Sequence, residues 1–277
     1  MFEGIRLRLG RLLLVLALSP ALWACASTDS KITTNPDPPE LMYAQGEALM
    51  DRGKFEAAAK RFEEVDRDHP YSPEARRAIV MSAFAYYKGG RYAEANSAAQ
   101  RYTTLHPGTK EAALAQHIMA MSQYDQIYDP ARDQTKTKEA LNALQTLVRR
   151  YPDSPYADEA RNRIKIATDV LAASEMRVGR YYLEQRNFLA AINRFKTVIS
   201  EYQTTRHVEE ALMRITEAYM ALGIRNEAQT AAAVLGHNFP DSPWYKNAYA
   251  LLKSDGLEPY EDRGSWISRT WRSVRPS

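Results

Sequence analysis

The stretch from Pro39 to Pro70 most constrains this chain, because its small and bulky residues fall where a helical hairpin needs them. Gly46 and Ala58 are small where two antiparallel helices approach closely. Gly53 gives the backbone freedom for the turn between them. Phe55 and Phe62 fill the space beyond the small pair, and Leu41, Tyr43 and Leu49 are the larger side chains of the first half. Pro70 ends the second helix because its ring nitrogen has no hydrogen to give the preceding turn.

The same grammar returns before each later break. Ala83, Tyr86, Tyr92, Ala95 and Ala99 precede Pro107, with the smaller Ala99 standing where the first unit has a Phe. Ala140 and Leu144 precede Pro152. Gly179, Tyr182, Phe188, Ala191 and Phe195 precede Gln203, which takes the proline's place after Glu201-Tyr202. Tyr219, Ala228 and Ala232 precede Pro240. The breaks are roughly 37, 45, 51 and 37 residues apart, close to the ~34-residue period of tetratricopeptide (TPR) repeats. The expected fold is therefore all-α: a TPR solenoid of five hairpin repeats, at about 39–70, 72–107, 110–152, 156–203 and 206–240. A helix over 243–253 would cap the apolar end of the stack. A polar insertion from Tyr128 to Gln134 interrupts the third hairpin, and the fourth opens with a long helical pattern from Tyr156 to about Glu184.

Ahead of the repeats the chain changes character. Arg6, Arg8 and Arg11 precede an apolar run from Leu12 to Leu18 that is too short to span a bilayer, so residues 1–24 read as an export signal. Leu22-Trp23-Ala24-Cys25 resembles the lipobox cut by the bacterial lipoprotein signal peptidase, although Trp23 is bulkier than usual there. Cys25 is the only cysteine. An exported protein with one thiol forms no internal disulfide, so lipid attachment at Cys25 is the expected use. The lipobox resemblance implies a diacylglycerol thioether and an amide-linked acyl chain, enough for lasting attachment. Ala26 follows where many inner-membrane lipoproteins carry Asp, which favours the outer membrane. Residues 25–38, polar apart from the lipidated Cys and a few apolar side chains, would form a tether spanning about 20 Å.

The whole chain carries +3, and residues 1–24 hold a net +2 of it, leaving the remainder at +1. A nucleic-acid partner has little electrostatic support at that balance. No nucleophile elbow, phosphate-binding loop, dinucleotide fingerprint or zincin motif is present. The five histidines do not cluster; His69, His106 and His237 sit near helix-ending prolines, placed to satisfy terminal carbonyls. Asp125, Asp129 and Asp133 suit a solvated turn better than a metal site. No cofactor and no catalysis are expected.

A stack of hairpins lines a concave surface with the first helix of each unit, a shape suited to an extended peptide. In the first two units the residues expected there are Tyr43, Glu47, Met50, Arg77, Val80, Phe84, Tyr87 and Lys88. Aromatic faces would stack with aromatic side chains, and Arg77 or Lys88 would pair with a chain-terminal carboxylate. The segment 254–277 places Trp266, Ile267, Thr270, Trp271 and Val274 on one helical face among Arg263, Arg269, Arg272 and Arg275. It reads either as a membrane-surface or partner-docking helix or as a flexible tail.

Several segments together resemble the BamD family, the TPR lipoproteins of the outer-membrane β-barrel assembly machine. They are Pro38-Pro39 with Tyr43; Gly53-Lys54-Phe55-Glu56-Ala57-Ala58; His69-Pro70-Tyr71-Ser72; Ala85-Tyr86-Tyr87-Lys88; Leu147 to Tyr156; and Gly179-Arg180-Tyr181-Tyr182. The likeness covers about residues 20 to 240 and leaves the Trp/Arg-rich tail outside. It implies a non-enzymatic periplasmic role at the outer membrane of a Gram-negative bacterium. There the chain would receive unfolded outer-membrane proteins, work with other lipoproteins of the assembly, and dock a POTRA domain of the barrel subunit BamA. The amino-terminal repeats would take the substrate's carboxy-terminal signal, which usually ends in an aromatic residue. The family's partner-binding arginine falls at Arg194, within Ala191-Ile192-Asn193-Arg194-Phe195. The alternative is another envelope TPR lipoprotein, scaffolding cell-division or cell-wall proteins.

Overall fold

The computed structural model describes residues 37–274; the export signal, Cys25 and most of the tether lie outside them. Among the described residues there are twelve α-helices and no strand. Five hairpins follow one another: α1 (Pro39–Asp51) with α2 (Phe55–Asp68), α3 (Pro73–Lys88) with α4 (Tyr92–Leu105), and α5 (Glu111–Tyr124) with α6 (Thr135–Arg150). Next come α7 (Ala157–Glu184) with α8 (Phe188–Glu201), then α9 (Val208–Ala221) with α10 (Arg225–Asn238). The chain closes with α11 (Pro243–Ser254) and α12 (Trp266–Val274). Each helix packs chiefly on those before and after it, as a TPR-like helical repeat requires.

Two backbone devices set the repeat. Within a hairpin the first helix ends in paired hydrogen bonds: Gly53 N–H reaches Met50 O while Lys54 N–H reaches Leu49 O. Gly90 with Arg91, Arg186 with Asn187, and Gly223 with Ile224 repeat that geometry. It demands a left-handed residue after the helix, which glycine supplies without a Cβ penalty; Arg186 adopts it at φ 58°. Between hairpins the joint is different. His69, His106, Tyr151, Tyr202 and Phe239 close the second helices, each donating its backbone N–H four residues back. The backbone N–H of Ser72, Thr109, Ser154, Thr205 or Ser242 then returns to that closing residue's carbonyl. For His69 and His106 the main-chain N–H makes this cap.

Side chains interlock around those turns. A Cβ built on Gly46 would come within 2.6 Å of the Phe62 ring, and one on Gly179 within 2.5 Å of Phe195. Glycine is thus required where the phenylalanine of the second helix lies against the first. The second unit places Ala83 and Ala99 at the equivalent positions, both fully buried. The third hairpin lacks the paired-bond turn, and its insertion instead reaches α7, where Arg177 Nη2 donates to Ala131 O at 2.8 Å.

The carboxy-terminal segment is neither a free tail nor a helix offering its apolar side outward. Helix α12 packs on α8 and α10. Ile267 is fully buried, Trp271 meets the edge of Phe239 at 6.0 Å, and Trp266 Nε1 donates to Tyr219 Oη at 2.9 Å. Both sequence alternatives for this segment are therefore corrected: its aromatic face packs across α8 and α10, the second helices of the last two hairpins.

Candidate functional site

The eight residues expected to line the amino-terminal groove divide by depth. Tyr43 on α1 and Val80 on α3 are core residues, 7% and 2% exposed. They belong inside because a first helix contacts its own partner and the next first helix, so only a narrow strip stays open. Tyr43 packs its ring 5.2 Å from Phe62, and the Arg77 guanidinium lies 4.8 Å from its ring centre. Burial pushes the Tyr43 hydroxyl above its ordinary value, with Arg77 pulling the other way. Met50, Phe84 and Tyr87 are half-buried against the same core, while Glu47, Arg77 and Lys88 are exposed.

Tyr87 is less free than the sequence suggested. Its Oη donates to Asp125 Oδ2 at 2.6 Å, a bond from the second hairpin to the third. Burial and that bond raise its pKa, so the phenol stays protonated and the bond persists. Asp125 is thereby a structural acceptor. Asp129 Oδ1 accepts Ala131 N–H, and Asp133 Oδ2 accepts Thr135 N–H, so both close the insertion's own turns. Among the described residues no group of three His, Cys, Asp or Glu could hold a metal ion.

At the other end, Arg194 projects from α8 with Nη1 3.1 Å from Glu175 Oε2 on α7. Tyr182, Ala190, Asn193 and Thr197 share its shallow hollow. Two residues further along α8, Lys196 places its ammonium 4.9 Å over the Trp266 ring. Sequence reasoning missed that contact, because nothing in the spacing says that α12 returns to α8.

These features define a class: a TPR-like helical-repeat protein that presents aromatic and charged surface from rigid hairpins. Residues 35–235 match the YfiO family, described as outer membrane lipoprotein. A Caulobacter vibrioides protein named outer membrane protein assembly factor BamD is 47% identical over 222 residues, 80% of this chain and 73% of that protein. Proteins of the same name from Rickettsia prowazekii and Neisseria meningitidis serogroup A are 37% and 32% identical. Those matches cover 77% and 86% of this chain, and 85% and 95% of the relatives. The chain belongs to the YfiO family of outer membrane lipoproteins. Among the described residues no helix is long and apolar enough to cross a membrane.

Proposed function

We propose that this chain is a lipid-anchored scaffold on the periplasmic face of the outer membrane that assembles outer-membrane proteins without catalysing a reaction. Family membership carries the reading: the relatives named above, one of them 47% identical, bear the name outer membrane protein assembly factor BamD. Cys25 would hold the lipid, and the amino-terminal repeats would receive unfolded outer-membrane proteins. Arg194 would contact the POTRA domain of BamA beside other lipoproteins of the complex. Its exposed position supports that role, since the guanidinium can leave Glu175 for an acidic partner with little loss: surface pairs contribute about 0–1 kcal/mol.

The test is a detergent pull-down from outer membranes with a tag after Ser277. Arg194→Glu is expected to remove most of the co-purified barrel subunit while leaving the helical signal intact, and Cys25→Ser to release the chain from the membrane fraction. Retention of BamA by the Arg194 variant at raised salt would reject the docking assignment. Unchanged fractionation of the Cys25 variant would reject the anchor.

A further inference from the structure

The segment that folds back on the last hairpin brings together positive charge that the helical stack does not use. From Arg263 to Ser277 the sequence holds four arginines and no acidic side chain. Where α12 and the loop before it meet the end of α10 they enclose a hollow of about 200 Å³. Arg263, Ser268, Trp271 and Arg272 form one side of it.

Its frame is already fixed. Arg272 donates from Nε to Ser268 O at 3.2 Å and from Nη2 to Arg263 O at 2.7 Å, so the guanidinium is held between helix and loop. Asp262 N–H donates to Thr230 Oγ1 at 3.1 Å, and Ser265 Oγ donates to Glu227 Oε2 at 2.5 Å, pinning that loop to α10. A ligand would find these walls in place and lose little in ordering them.

The donors of this frame are not spent. Among the described residues the Arg263 side chain makes no hydrogen bond or ion pair, and Arg272 makes no ion pair. Glu261 is the carboxylate on the wall and pairs with neither arginine, which leaves two cations against one anion. Ser268 is fully buried, and its Oγ has no hydrogen-bond partner among the described residues. A buried hydroxyl left unpaired is destabilising where an alanine is not, so a serine at this position asks for a ligand that its hydroxyl meets. The donors come from a loop, a helix and a hydroxyl and not from one planar fork. A tetrahedral oxyanion, with oxygens in several directions, suits such a set better than a flat carboxylate does.

We propose that this hollow binds a phosphate group, with Arg263 and Arg272 as its counter-charges and Ser268 Oγ as a hydroxyl donor. The volume admits the group but not acyl chains, so a phospholipid would insert its headgroup alone and free phosphate would fit equally. The site shares no residue with the amino-terminal groove or with the surroundings of Arg194.

The purified full chain in a neutral maltoside detergent, free of phosphate, tests it. It is titrated with sodium phosphate and, separately, with dihexanoyl phosphatidylglycerol, while tryptophan emission is followed, since Trp271 stands in the wall. Saturable change is expected with at least one, and the one that responds names the source. Arg263→Gln, whose side chain has no contact to lose, should weaken binding about tenfold, the worth of a charge-assisted contact. Ser268→Ala should also weaken it while leaving the melting midpoint without phosphate unlowered, which a purely structural serine would not do. No saturable response to either phosphate source overturns the proposal. So does an equal response to acetate or chloride at matched ionic strength, or undiminished affinity in Arg263→Gln.

Discussion

Single residues carry much of the specification, and Arg186 shows the cost of departing from it. Three hairpin turns hold glycine at φ 70–73°, whereas the fourth holds Arg186 at φ 58° with the same two hydrogen bonds. A side chain in the left-handed region costs about 1–2 kcal/mol, and glycine returns about 0.5–1 kcal/mol of that through the freedom it gives the unfolded chain. Arg186→Gly should therefore raise stability by about 0.5–1 kcal/mol, read as a higher denaturant midpoint at unchanged slope. A lower midpoint would show that the arginine is favoured by something other than its backbone. The need for small residues at Gly46 and Gly179 was legible in sequence, but the partner was not: Gly46 was read against Ala58, whereas it lies against the Phe62 ring, as Gly179 does against Phe195. The depth of Tyr43 and Val80 was also hidden: α1 packs on α2 and α3, and α3 on α1, α2, α4 and α5, so each buries residues from more than one stripe, and periodicity alone does not rank them.

At the scale of elements, proline, glycine and the Ser/Thr joints marked the hairpins because each acts locally on its own backbone. Ser72 and Ser242 even cap their helices as such residues do, Oγ accepting from Ala75 N–H at 3.0 Å and Trp244 N–H at 3.2 Å. Helix α12 was different. An amphipathic helix announces a buried face without naming what buries it, and here the cover is its own α8 and α10. Truncation before Gly264 removes the Trp266 donor from Tyr219, uncovers Phe239, and takes Thr270 O from Gln203. We expect amide exchange in α8, α9 and α10 to quicken at least tenfold on truncation while α1 to α4 keep their protection. Trp266→Phe, which keeps an aromatic ring but deletes the donor and shrinks a packed side chain, should cost at least about 1 kcal/mol. Equal exchange in the truncated and full chains would mean that α12 adds nothing to the hold of α8 and α10.

For the whole molecule, stability in a solenoid is close to a sum of neighbour interfaces, so the thinnest interface decides how it fails. Buried side chains form one large cluster from Met42 to Ile118 and another from Met176 to Ile267. Between them lies a small one whose buried members are Ala120, Leu144, Leu147 and Ala160. First helices touch directly along α1, α3 and α5 and again along α7, α9 and α11, but α5 and α7 are joined mainly through α6. That waist coincides with the longest break spacings and with the polar insertion, so extra length has been placed where the stack is least continuous. Leu147 is fully buried there. Leu147→Ala removes its methyl groups and leaves a cavity, at a cost of about 2–5 kcal/mol. In a cooperative globule that loss would lower a single melting transition. Here it should instead divide calorimetric unfolding into two transitions, with exchange protection in α1 to α4 and in α8 to α10 falling at different temperatures. One sharp transition in the variant, shifted but undivided, would show that the two large clusters are coupled by contacts other than those at the waist.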